Sequence, residues 1–411
     1  MTHSRRWAAA AAAAVWCLAP LALAAQGQVV HLPERDRPLA GTAPVVFAIG
    51  RAEGADHEMF ADVAAVAFDG RDNLYVLDRQ SARIMVYDPA GRFLRQVGRK
   101  GQGPGELQVP LGMAVAPDGS IAVVDLGAQG FSTFAPDGTF QRSRRFEGWT
   151  PMLSAGHAWH PRGGVLGTYN PRITESGSFS RSLGTSLVLH PVGDGAPVRV
   201  FEIPQVTTVE QRSPNPSQRM VTVQGPPTFA PVASFGALPD GNVAMSFTAG
   251  YTVRIVDLEG TTLRYIQRPT RPRPVTEADR ERARERQREA RLSGRGMITI
   301  TRGGGGGGGA PPVDRAAIER SLGEMRFADT MPAIRSLRAA PTGTIWVERT
   351  SPTFYDPGPI DLLTAAGEYR GTITGMALPA AISRGGLAAF IERDDDDVPR
   401  VVVRRLPEGW R

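Results

Sequence analysis

Short apolar runs recur along the chain, each closed by a polar residue and a turn rich in Gly, Pro or Asp. The clearest copy reads Val66-Ala67-Phe68-Asp69-Gly70, Leu74-Tyr75-Val76-Leu77-Asp78, Ile84-Met85-Val86-Tyr87-Asp88, Gly91, then Phe93-Leu94-Arg95-Gln96-Val97. Runs of this length between turn residues predict strands, because helices need longer stretches with a 3.6-residue period. A twin starts 47 residues on, at Met113, with its turn at Pro117-Asp118-Gly119 and its second strand at Ile121–Asp125. Weaker copies begin at Gly156, Gly236 and Leu337, and a sixth at Ala380 lacks a last strand because the chain ends at Arg411. Val45–Gly50, near the other end, has the form of that missing strand.

Four strands per copy at a period of roughly 40–47 residues predict an all-β fold, a six-bladed β-propeller of four-stranded antiparallel blades. Pairing the two ends of the chain in blade 6 removes the exposed edge of an open array. The expected blades are 63–99, 109–147, 153–204, 232–268, 333–375 and 380–407 plus 43–50, within a single domain spanning 26–411. A Ser/Gly-rich excursion at Thr174–Thr185 makes blade 3 the most divergent, and Arg212–Pro231 reads as a Pro/Gln/Ser loop. Residues 271–331 form an Arg-rich and Gly-rich insertion between blades 4 and 5.

Composition adds the compartment. The 47 Gly and 34 Pro suit strands and tight turns. Residues 1–25 read as a signal peptide, with Arg5 and Arg6 before the apolar stretch Ala8–Leu23 and small residues at Ala22-Leu23-Ala24. The mature protein is then expected in the periplasm or outside the cell. Its one cysteine, Cys17, lies inside the signal, which leaves no disulfide or thiolate chemistry. The net charge of +6 does not describe a basic surface: Arg271–Arg302 carries ten Arg against five acids, and Lys100 is the only lysine.

One stretch carries a family resemblance. Gly98-Arg99-Lys100-Gly101-Gln102-Gly103-Pro104-Gly105-Glu106-Leu107, running into Pro110–Val115, then Asp118-Gly119 and Val123-Val124-Asp125, resembles the linker and strand pattern of NHL-repeat-like six-bladed propellers of the TolB-like superfamily. The resemblance covers Val66–Phe146 closely and the other blades loosely. It implies a fold that serves binding scaffolds, lyases and lactonases alike.

Strand alternation sorts the loops onto two faces. The Asp-Gly turns belong to one, where Gly and Asp serve backbone geometry. Second-strand ends and blade-to-blade connectors belong to the other, the channel mouth. There the candidate ligand-binding residues are Asp78, Arg79, Lys100, Asp125, Asn170, Glu348 and Glu392, either as a salt-bridged rim or as a polar or metal site. Asp78, Asp125, Glu348 and Glu392 are the candidates for a divalent cation, and no other cofactor is expected. Asp394-Asp395-Asp396-Asp397 lacks the alternating ligands and mid-loop Gly of a calcium loop and reads as a solvated acidic turn. Within the insertion, Thr276-Glu277-Ala278-Asp279 has the form of a capping box before a charged helix. Such a helix should stay exposed or dock on acid. Seven glycines at Gly303–Gly309 follow Met297–Thr301 as a tether, and Asp314–Met325 reads as an amphipathic helix through Ile318, Leu322 and Met325.

Catalytic signals are sparse. His157 and His160 alternate across one strand, so they cannot jointly hold a metal while extended. No nucleophile elbow, phosphate loop or dinucleotide fingerprint occurs, and the aromatic platforms of nucleic-acid binders are missing. The sequence leans toward a binding module for a protein, peptide or glycan, with a metal-dependent lactonase-like hydrolase or lyase as the alternative. Nucleic acid is not an expected partner, and neither the ligand nor the oligomeric state is legible.

Overall fold

In a computed structural model the described residues are 27–151, 156–172, 179–215, 218–293 and 314–411. The signal peptide, Met297–Thr301, the Gly303–Gly309 tether and part of the Thr174–Thr185 excursion lie outside them. Six antiparallel sheets follow one another along the chain, as the repeat predicts. Blade 1 is Val63–Phe68, Leu74–Asp78, Arg83–Tyr87 and Phe93–Val97, paired in that order. Blade 2 repeats it with Pro110–Val115, Ile121–Asp125, Gly130–Phe134 and Phe140–Arg145. Blades 4 and 5 start at Ser234 and Ile334 and end at Gln267 and Ile373.

Each strand's burial follows from its place. Second strands such as Leu74–Asp78 and Ile121–Asp125 are buried throughout, since both faces of a blade meet a neighbour. The outer strand Phe140–Arg145 alternates half-buried with exposed residues. Each blade interface holds its own apolar layer; between blades 1 and 2 it includes Leu77, Ile84, Met113 and Val123. First-strand turns need a residue beyond ordinary φ, which Gly119 (96°) and Gly241 (86°) supply. Blade 1 differs: in a turn of the same length its Asp69-Gly70 stands two residues earlier, and Asp72, at φ 63°, takes the place of Gly119.

Blade 6 closes as expected. Val45–Ile49 pairs antiparallel with Pro399–Arg405 and becomes its outer strand. The chain reaches that point by a route the repeat does not announce: Gln28–His31 runs parallel along the outer strand of blade 4, and Pro38 bridges Thr372 on the outer strand of blade 5. The expected Arg212–Pro231 loop is largely strand. In blade 3, Phe179–Pro191 and Val198–Asn215 are extended beyond the ring, and Gln218–Gln224 folds back on the latter.

The insertion leaves blade 4 through Arg273–Pro274, which pairs with Thr330–Met331 on the return. Between them stand α1 (Glu277–Leu292) and α2 (Arg315–Gly323). The capping box forms: Thr276 Oγ1 accepts from the Asp279 amide, and the Asp279 carboxylate accepts from the Thr276 amide. Helix α1 docks on aromatics rather than on acid. Ala283 is buried with Phe229, Val275 and Met331, while Arg284 lies 5.3 Å over the Phe327 ring and Arg286 4.5 Å over Tyr355. Arg288 pairs with Glu319 of α2 at 2.8 Å, and Leu322 buries the apolar side of α2. The guanidinium planes suit ring faces, so an arginine-rich helix can settle on an apolar shelf.

Candidate functional site

The first strands of the six blades enclose a central cavity of about 540 Å³. Its walls are small and apolar, with Ala65, Ala67, Ala114, Ala158, Gly236 and Ala339 among the lining residues. Crowding at the axis explains the choice, since a Cβ on Gly236 would stand 2.6 Å from the Ala339 backbone. No residue of the insertion lines this cavity among the described residues. The insertion stands on the mouth face beside it, with Arg273 donating to Pro352 O in the second-to-third loop of blade 5 at 2.9 Å.

Most of the expected mouth residues turn inward to the backbone. Asp78 is fully buried and accepts from the amides of Ala61 and Asp62, which enter the blade, and Ser81, which leaves it. Asp125 repeats the arrangement with Gln108, Val109, Gly127 and Ala128. Arg79 pairs with Asp62, its Nε donating at 2.7 Å, and Asn170 accepts from Thr185 Oγ1 at 3.1 Å. Glu348 is buried between Arg335, at 3.4 Å, and the Gly358 amide, at 3.3 Å; burial raises its pKa. Lys100 and Glu392 are exposed. Among the described residues no three His, Cys, Asp or Glu side chains are placed to hold one metal ion, so the four candidate carboxylates do not converge. The acidic run folds into a turn in which Asp394 Oδ1 accepts from the amides of Asp396 and Val398.

The two histidines of the third blade's first strand part as alternation requires. His160 Nε2 meets Gly241 O of blade 4 at 2.9 Å. His157 enters the seam with blade 2, where a Cβ on Gly112 would stand 2.5 Å from its Nδ1. Both His157 ring nitrogens are buried without a hydrogen-bond partner, and burial pushes its pKa down to about 4. Nearby, His190 packs edge-on to Tyr169 at 4.6 Å and Phe146 at 4.7 Å, and burial takes its pKa down to about 3. These imidazoles are neutral packing groups at pH 7.

Two features of the cavity escape the sequence reading. Arg338, on the first strand of blade 5, lines it, and so does Arg384 at the turn-face rim. Nothing in the local pattern of Leu337-Arg338-Ala339 separates an axial arginine from a surface one. Arg384 is legible only on aligning the six turns, where it stands in line with Pro117, Pro161, Pro239 and Pro341.

Comparison with known proteins agrees on architecture. The DUF5128 family model, described as a 6-bladed beta-propeller, matches residues 53–152. No curated protein matches the chain. Similar solved structures include a Bacteroides fragilis protein whose export is itself only a prediction (TM-score 0.45, 12% identity, 92% of this chain and 100% of that one). A gluconolactonase from Xanthomonas campestris (0.42, 10%, 89% and 98%) and a streptogramin B lyase (0.38, 10%, 87% and 97%) are also similar. These distant likenesses say nothing of ligand or chemistry. The matched stretch covers blades 1 and 2 with their flanking connectors, and the sheets carry the same plan through the whole ring: the chain is a six-bladed β-propeller.

Proposed function

We propose that this protein is an exported recognition module that binds a protein, peptide or glycan across the channel-mouth face. The observation that carries the reading is the cap: both α-helices of the described chain are built onto that face. It is fixed there by an aromatic cluster of Phe229, Phe327, Phe354 and Tyr355 drawn from two connectors and a loop of blade 5. The cap gives a near-symmetric ring one distinct side. On the same face, exposed Lys100 and Glu392 and the Asp394–Asp397 turn offer charges of both signs to a partner. Asp78, Asp125 and Glu348 stand behind them and shape the connectors that present the surface. The leader-like residues 1–25 support export, and no helix among the described residues is long and apolar enough to cross a membrane. Closer kinship with NHL-repeat and TolB-like propellers, suggested by Gly98–Val115, belongs to the same proposal.

The test uses purified chain from Gln26 onward on glycan and peptide arrays, beside a variant with residues 271–331 replaced by a short Gly-Ser linker. Binding is expected for the parent and at least ten-fold weaker for the variant. A stoichiometric divalent ion, with lactone hydrolysis that Asp78→Ala and Glu348→Ala abolish while the fold persists, would establish the hydrolase instead.

A further inference from the structure

The channel holds a charge that its surroundings do not answer. Arg338 lines the central cavity, and its Nη1 meets only the Leu337 carbonyl at 2.9 Å and, distantly, Ser336 Oγ at 3.4 Å. It forms no ion pair among the described residues. The field of Glu348 reaches it, but that carboxylate is held by Arg335 and the Gly358 amide. Arg338 is half-buried, and a guanidinium partly shielded from water without a counter-ion is disfavoured, while it cannot escape by losing its proton. The cost falls when an anion arrives with hydrogen-bond acceptors.

The rest of the cavity says what that anion carries. Its walls are mostly Ala, Gly and Pro with larger apolar side chains such as Val66, Phe68, Met113 and Trp159, the neutral His157 ring also lines it, and its volume of about 540 Å³ suits a small organic molecule. Its other end opens among the first-strand turns, ringed by Pro117, Pro161, Pro239 and Pro341. At the equivalent point of blade 6, where the ring would take a fifth proline, stands exposed Arg384, also without an ion-pair partner among the described residues. Asp69, the carboxylate on this rim, accepts from the amides of Arg71 and Asn73, from Asn73 Nδ2 and from the Tyr75 hydroxyl, so it is held in its own turn.

We propose that the central channel is a binding site for a small organic carboxylate with an apolar body, entered from the turn face, with Arg338 binding the carboxylate and Arg384 at the entrance. This site lies at the end opposite the cap and stands independently of recognition across the mouth face.

Calorimetry at low ionic strength tests it with benzoate and its uncharged counterpart benzamide. Benzoate is expected to bind at least ten-fold more tightly than benzamide, since one charge-assisted contact is worth about a factor of ten or more. Arg338→Met should remove that preference. Ala381→Phe, which fills the channel and leaves Arg338 in place, should remove binding of both probes, with the fold of each variant checked by circular dichroism. Equal affinity for the two probes, no binding by the parent protein, or undiminished benzoate binding in a folded Arg338→Met or Ala381→Phe protein would each overturn the assignment.

Discussion

His157 illustrates how far one side chain's role depends on its neighbours. Its ring fits because blade 2 offers Gly112 and blade 3 offers Gly167, where a Cβ would stand 2.9 Å from the imidazole. Dry surroundings favour the neutral ring, hence the fall of its pKa to about 4. The unfolded chain takes up this proton near the ordinary value of about 6.5, the folded chain only near 4. Stability is therefore full above pH 6.5 and falls as the pH drops toward 4, by on the order of 1–3 kcal/mol from this group. Urea midpoints measured between pH 7 and 4 should fall for the parent protein and fall less for His157→Phe; parallel curves would refute the argument. Asp78 and Asp125 teach the converse. Their position at strand ends reads as a ligand rim, yet each ties an entering connector to a leaving turn, because a buried carboxylate needs several donors and amides are the nearest.

At the scale of elements, strands are legible wherever two turns bracket an apolar run, as in blades 1 and 2. Blade 3 is less so, because Val198–Asn215 is polar in sequence over its outer half and pairs there with Phe179–Pro191. Helix α1 is foretold by its capping box and charge spacing, but not where it docks: Phe229 and Tyr355 lie 126 residues apart in sequence and meet only in the folded ring. Its start is held by Asp279, which takes both Arg273 Nη1 at 2.7 Å and Nη2 at 3.1 Å; these bonds hold its carboxyl well below the usual carboxylate range. Asp279→Ala should cost the cap about 1–2 kcal/mol through the lost N-terminal bonds. Limited tryptic digestion should then cut within 280–291 faster while the blades stay protected; unchanged cleavage would show that the aromatic shelf alone fixes the helix.

At the scale of the whole molecule, the N-terminal segment acts as a belt across three blades. It lies along the outer strand of blade 4, bridges blade 5 and completes blade 6. Its middle is locked by charge. Asp36 accepts from Arg268 and, at 2.7 Å, from Arg349, while fully buried Arg268 also donates to Asp361 at 2.9 Å. Removing one partner strands the others in a dry seam, so Asp361→Asn should destabilise the protein by about 3–5 kcal/mol. Deleting residues 26–50 should do more, exposing Pro399–Arg405 as a free edge and driving association. Size-exclusion chromatography and thermal melting of both variants check this; a monomeric deletion with an unchanged melting temperature would contradict it.

The sequence by itself determined the strand plan, the number of blades, the closing strand and the capped helix, because each rests on local periodicity, turn chemistry or a repeat that can be laid over itself. Tertiary structure decided which charges are free. Whether Asp78 meets a ligand or an amide, whether Arg338 faces water or the axis, and what covers an arginine-rich helix all depend on contacts between residues far apart in sequence. Those contacts exist only after the ring has closed.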